Sequence, residues 1–161
     1  MNKDIIIREY QDKDLEAVSN IVVRDMIEVN SKDYGLDKMK KHAEGFNKEN
    51  LAEKFKYRTK VWVAVIDNEV VGSVGMEADW DGAKDTYWVL TLFVKPEYHG
   101  KKIGTLLMNQ LEKYAKEIHA KKLIIPASIT ANEFYHKLGY NYRNNKKELN
   151  DKGQYMMEKL L

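Results

Sequence analysis

Cysteine is absent from all 161 residues of the chain. Disulfides, thiolate chemistry and cysteine-ligated metal sites are thereby excluded, and the composition fits a reducing compartment. Proline occurs twice, and neither repeats nor low-complexity linkers break the chain. No apolar run approaches the roughly 20 residues of a membrane span, so no membrane partner is expected. Neither charge sign dominates: 27 Lys and Arg face 25 Asp and Glu, for a net charge of +2. Lysines alternate with carboxylates along the chain, which argues against a surface that coats nucleic acid. The opening Met1-Asn2-Lys3-Asp4 leads into a short apolar strand followed by Arg8, without the long apolar core of a secretory signal. A cytoplasmic location is the expectation.

The apolar content of 43% and charged content of 32% suit one globular domain spanning residues 1–161. Ile5-Ile6-Ile7 predicts a first strand from about Asp4 to Glu9. Asp12 or Asp14 can cap the following helix, where Leu15, Val18, Ile21, Val22, Met26 and Val29 recur at helical spacing; it should stop near Asn30-Ser31. Lys32 to Tyr57 reads as two short surface helices or as a lid over an acceptor pocket. Val61 to Ile66, Val70 to Met76 and Thr86 to Val94 read as strands, the first two joined by a tight turn at Asp67-Asn68-Glu69. Gly72 and Gly75 weaken their strand unless a bulge or a close neighbour needs them. Ile103, Leu106, Leu107, Leu111, Tyr114, Ala115 and Ile118 form the stripe of a long amphipathic helix. A strand at Lys122 to Ile125 ends at Pro126, a helix from about Ile129 to Leu138 closes at Gly139, and a terminal strand pair uses Tyr140 to Tyr142 and Tyr155 to Leu160. This order gives an α/β (α+β) mixed sheet with helices on both faces.

The chain is organised around the turn that joins the strand Leu90 to Val94 to the long helix. Gly100 and Gly104 keep side chains out of the way, Lys101 and Lys102 add positive charge, and the unpaired amides of the helix start point into the turn. That combination suits a phosphate-bearing ligand, and equally an ordinary strand-to-helix turn with solvated lysines. His99, His119 and His136 have no metal-ligand spacing and Asp79-Trp80-Asp81-Gly82 is too short for a calcium loop, so no metal site is expected.

Two segments carry a resemblance. His99-Gly100-Lys101-Lys102-Ile103-Gly104 aligns with the Gln/Arg-x-x-Gly-x-Gly/Ala cofactor loop, and Phe134-Tyr135-His136-Lys137-Leu138-Gly139-Tyr140 with the aromatic-Tyr-x-Lys-x-Gly-aromatic signature, of the Gcn5-related N-acetyltransferases. Order and spacing agree, and the chain resembles this GNAT family over essentially its whole length. His99 stands for the usual Gln or Arg, and Lys102 for the middle glycine, so its turn must work without glycine's freedom at positive φ; the backbone there is expected to stay helical and still offer its amide.

The resemblance implies a mostly antiparallel sheet of about seven strands with one splayed pair. It implies acetyl-CoA as cosubstrate, its pyrophosphate on the amides from Gly100 to Thr105, with His99, Lys101, Lys102, Ile103 and Gly104 in that loop. The pantetheine arm would pair with backbone at Leu92, Phe93 and Val94, and Asn132 (with Ser128) would bond its amides, although both also suit helix capping. Tyr135 becomes the general acid for the departing thiolate, against the alternative of a packed aromatic. The nearest carboxylates for a base are Glu77 and Asp79, which also read as an ordinary polar turn. Direct transfer of acetyl to an amine of a small molecule or peptide is the expected activity. The rivals are a CoA-binding sensor of the same fold and an unrelated nucleotide-binding module. The family often forms homodimers.

Overall fold

The computed structural model describes residues 3–161. The strands are β1 (Ile6–Glu9), β2 (Lys60–Ile66), β3 (Glu69–Ala78), β4 (Thr86–Val94), β5 (Lys122–Ala127), β6 (Asn141–Tyr142) and β7 (Tyr155–Leu160). They form one sheet in the order β1-β2-β3-β4-β5-β7-β6, antiparallel throughout except for the parallel β4–β5 pair. This is the mixed, mostly antiparallel seven-stranded sheet expected.

The β2 run is apolar at nearly every position because both sheet faces are covered. Val63 and Val65 pack with Val18, Ile21, Val22, Met39 and Leu51 of helices α1 (Leu15–Asp25), α3 (Leu36–Ala43) and α4 (Lys48–Phe55). Trp62 and Ala64 face the other way, onto Ile103, Leu107 and Leu111 of α5 (Ile103–Glu117). The sheet is thus the middle layer, and a side chain's parity along a strand decides which core it joins.

Several boundaries move for physical reasons. Asp14 caps no α1 amide; its carboxylate takes the Gln11 amide at 2.8 Å and Arg8 in a two-pronged ion pair. The first helix does not stop at Asn30-Ser31 but runs through a π-turn (Met26–Asn30) into α2 (Ser31–Tyr34), ending at Gly35 with φ 89°. The α4 start is capped by Asn47, whose side chain accepts the Asn50 amide at 2.9 Å. The hairpin turn is two residues, Asp67 and Asn68, both at positive φ (50° and 64°), as a type I′ turn requires. Pro126 does not end β5: it stays in register opposite Met156 of β7. By that point β5 has already left β4, and a missing amide is tolerated on a strand's free edge. Helix α6 is shorter than expected (Asn132–Lys137), and Gly139 follows it at φ 96°.

Candidate active site

The parallel β4–β5 pairing covers only Thr86↔Lys122, Tyr87↔Leu123 and Trp88↔Ile124. Beyond Trp88 the strands part, leaving the C-terminal half of β4 with an open backbone edge on that side. The device that bends β4 lies at Thr91. Gly72↔Val94 and Ser73↔Phe93 are in one register and Gly75↔Leu90 in the next, so two β4 residues oppose Val74. Thr91 takes φ 59°, an unfavourable place for a β-branched residue. It is held there from two sides. Ser73 Oγ donates to the Thr91 carbonyl at 3.0 Å, and Arg58 Nη2 donates to Thr91 Oγ1 at 2.9 Å.

Arg58 is itself fixed by Glu77, with Nη1 to Oε1 at 2.6 Å and both side chains buried. Trp80 donates its indole N–H to the other Glu77 oxygen and stacks on Trp88 at 4.2 Å between centroids. Gly75 is explained here: a Cβ on it would lie 3.1 Å from Arg58 Cδ and 3.2 Å from Nε. Burial lowers the guanidinium's affinity for its proton, and Glu77 offsets only part of that loss.

The gap opens into a cleft of about 1250 Å³. Leu92, Phe93 and Val94 line it from β4; His99, Gly100, Lys102, Ile103, Gly104 and Thr105 line it from the turn and the start of α5. The first bond inside α5 runs from the Leu106 amide to the Lys102 carbonyl at 3.0 Å, so the amides of Ile103, Gly104 and Thr105 have no acceptor within the helix. Lys102 departs from expectation. It adopts the left-handed conformation, φ 63° and ψ 14°, which glycine would take without strain. His99 Nε2 lies 2.8 Å from the Val94 carbonyl and ties the turn back to its strand.

Gly104 has a second reason beside the one expected. A Cβ there would meet Phe134 Cζ at 3.2 Å, so a bulky residue would push α6 away rather than only fill a ligand cradle. Lys101 and Asn132 are not brought to the cleft. Lys101 Nζ sits over the Tyr98 ring at 5.2 Å. Asn132 is buried, donating to the Ile129 carbonyl at 2.6 Å and accepting from the Tyr142 hydroxyl at 2.7 Å; its amide is committed inside the protein. Ser128 lines the cleft while its Oγ caps the Ala131 amide at 3.1 Å.

Tyr135 is buried in the cleft wall. Burial first, and then the charge of Asp25, push its phenol pKa up, so it holds its proton firmly at neutral pH. Asp25 is the residue that sequence reasoning missed. It is buried at the last turn of α1, just before the π-turn, lines the cleft and lies 3.5 Å from His99 Nε2. Burial raises its pKa to about 6; His99 opposes that shift and Glu28 adds to it. The signal was a carboxylate inside the apolar stripe, between Ile21 and Val29. Of the two carboxylates expected near the cleft, Glu77 is spent on Arg58 and Trp80. Asp79 holds the Ala83 amide at 3.0 Å and the Trp88 indole at 2.9 Å, away from the cleft.

The far end of the cleft joins two segments that sequence left undecided. The Tyr34 hydroxyl donates to the Gly153 carbonyl at 2.6 Å and accepts the Ile129 amide at 2.9 Å, tying the helical 32–57 segment to the 144–153 loop. Among the described residues no group of His, Asp or Glu side chains could hold a metal ion, and no helix is long and apolar enough to cross a membrane.

The acetyltransferase (GNAT) family model matches residues 23–140. YafP of Escherichia coli (strain K12), an uncharacterized N-acetyltransferase, is 29% identical over 140 residues, covering 85% of this chain and 81% of that protein. Among solved structures, PaiA N-acetyltransferase from Thermoplasma acidophilum, in complex with coenzyme A, superposes with a TM-score of 0.81 at 22% identity, covering 98% of this chain and 99% of the other. A GCN5-related N-acetyltransferase from Rhodopseudomonas palustris gives 0.81 at 25% identity over 100% and 99% of the two chains. Matched by that family model over most of its length, the chain belongs to the acetyltransferase (GNAT) family.

Proposed function

We propose that the protein transfers the acetyl group of acetyl-CoA directly to an amine acceptor in a ternary complex. The observation that carries this reading is the parting of β4 from β5 beyond Trp88, which opens straight onto the unpaired amides at the start of α5. An extended amide-bearing arm fits the free edge at Leu92–Val94, and a pyrophosphate fits the turn from Gly100 to Thr105. The Thermoplasma neighbour, crystallised with coenzyme A, supports this use of the fold. Acetyl-CoA supplies an acyl carbon already activated as a thioester.

The protein's own part is proton management and orientation. Asp25 accepts the amine's proton, directly or through one water, as the nitrogen bonds to the acyl carbon. Tyr135 donates its phenolic proton to the sulfur as the carbon–sulfur bond breaks. Tyr135 then regains a proton, and Asp25 loses one, by exchange with solvent. Because Asp25 works as the carboxylate, kcat should fall with unit slope below about pH 6. Asp25→Asn should lose that acidic limb together with about 10²-fold in kcat. A variant keeping both would remove Asp25 from the base role. His99 and Glu28 are the titratable neighbours whose charges move the limb.

Calorimetry tests the cosubstrate and the turn together. CoA should bind and ATP should not. Lys102→Gly should change CoA affinity by less than about threefold, since glycine keeps the left-handed turn while one positive charge is lost. Lys102→Val should weaken it by about tenfold or more, because a β-branched residue resists that conformation. Equal binding by the valine variant would show that the turn's amides are not the ligand.

A further inference from the structure

We infer that the acceptor carries, besides its amine, an anionic group, carboxylate or phosphate, held by Lys38, Lys54 and Lys152. The inference rests on the acetyl-transfer reading and names the class of its acceptor. The three lysines reach the cleft from three separate elements: Lys38 from α3, Lys54 from α4 and Lys152 from the 144–153 loop. They converge on His42. Partial burial, and after it the charges of Lys54, Lys38 and Lys152 in that order, hold its imidazole below the ordinary value; no carboxylate contributes. The site therefore gathers three ammonium groups around a histidine kept neutral.

Two of the three, Lys38 and Lys54, stand on ring faces. Lys38 Nζ stands 5.3 Å from the Tyr34 ring centroid and Lys54 Nζ 5.1 Å from that of Phe46. A ring face attracts the charge but accepts no conventional hydrogen bond, so the ammonium donors stay available. The carboxylates in the cleft do not cancel this charge. Glu77 is neutralised by Arg58, Asp25 faces His99, and Asp151 forms no ion pair with the three lysines among the described residues. Gathering like charges on one wall opposes folding. A bound anion relieves that repulsion, and a polyamine or aminoglycoside would add to it.

Matched acceptors test this: tyramine against O-phosphotyramine, aminomethylbenzamide against aminomethylbenzoate, and spermidine as the cationic arm. Calorimetry reads binding, and CoA release reads turnover. The anionic member of each pair should bind and react about tenfold better, less so at high salt. The phosphate and carboxylate pairs separate the two anion sources. Lys38→Met/Lys54→Met/Lys152→Met should bind and acetylate the members of each pair alike. Equal affinity within both pairs in the wild type, tighter binding of spermidine, or a preference that survives the triple substitution would overturn the inference. So would a triple variant whose only defect is a raised KM for acetyl-CoA, since the lysines would then serve the cosubstrate. Anion-selective binding without acetylation of any amine would instead sink the transfer reading and leave the anion site standing.

Discussion

Tyr135→Phe is expected to lower kcat about 10²- to 10³-fold while CoA binds with near-normal affinity. The substitution removes one oxygen and leaves the ring, which packs edge-on against Phe134 and Tyr140 at centroid distances of 5.3 and 6.2 Å. Among the described residues no hydrogen bond restrains the hydroxyl, so its loss breaks none within the fold. A small change in melting temperature is therefore expected beside the large change in rate. That split matters, because a packed aromatic without chemical function would move neither. The departing thiolate would have to take its proton from water, and acceptors with easily lost protons should suffer as much as others, since the role proposed for Tyr135 is on the leaving group. Unchanged kcat in the phenylalanine variant would return Tyr135 to the role of core residue.

The second large effect is on the fold. Glu77→Ala should destabilise the protein by about 3–5 kcal/mol, because it leaves the Arg58 guanidinium buried without a countercharge. Arg58 can least absorb that loss, since its Nε is already buried without a partner. Trp80 would lose its acceptor as well. For a domain of this size the melting temperature should fall by roughly 10 °C. The consequence reaches the cleft: Arg58 holds the Thr91 hydroxyl, and Thr91 at φ 59° is the bend that frees the β4 edge. CoA affinity should drop together with stability. Glu77→Ala/Arg58→Met should regain most of the stability, since no charge is then left buried, while the bulge stays poorly held and activity stays low. If the single variant melted like the wild type, the ion pair would be dispensable for the fold. If the double variant recovered both stability and activity, the bulge would not depend on Arg58.

Much of this protein was legible before its structure. The glycine-bearing turn, the amphipathic α5 and the Phe134-to-Tyr140 signature are local patterns. A helix start orients its own amides, and a 3.6-residue stripe declares its own buried face, so those parts of the site could be read from neighbours in sequence. Gly72 and Gly75 even signalled a bulge or a close approach, and both occur. Asp25 was visible as a charge in an apolar stripe, yet nothing local said that the stripe would end at a cleft.

The tertiary structure alone decided the rest, and for one physical reason: those features are set by contacts that no local residue pattern announces. Thr91 is held in a strained conformation by Arg58 and Ser73, 33 and 18 residues away, and no residue type in β4 announces the bend. Lys102 keeps a conformation that its own identity disfavours because the turn around it is fixed at both ends, by His99 on Val94 and by the α5 start. Asn132, motif-like in sequence, is drawn into a buried bond with Tyr142. Lys38, Lys54 and Lys152 are scattered surface lysines in sequence and become one positive wall only when Tyr34 ties the helical segment to the final loop. Local periodicity and turn chemistry determined that the chain would build a glycine-bearing turn with free helix-start amides on a layered sheet. Long-range packing decided which strand bends, which carboxylate faces the cleft and what charge its far wall presents.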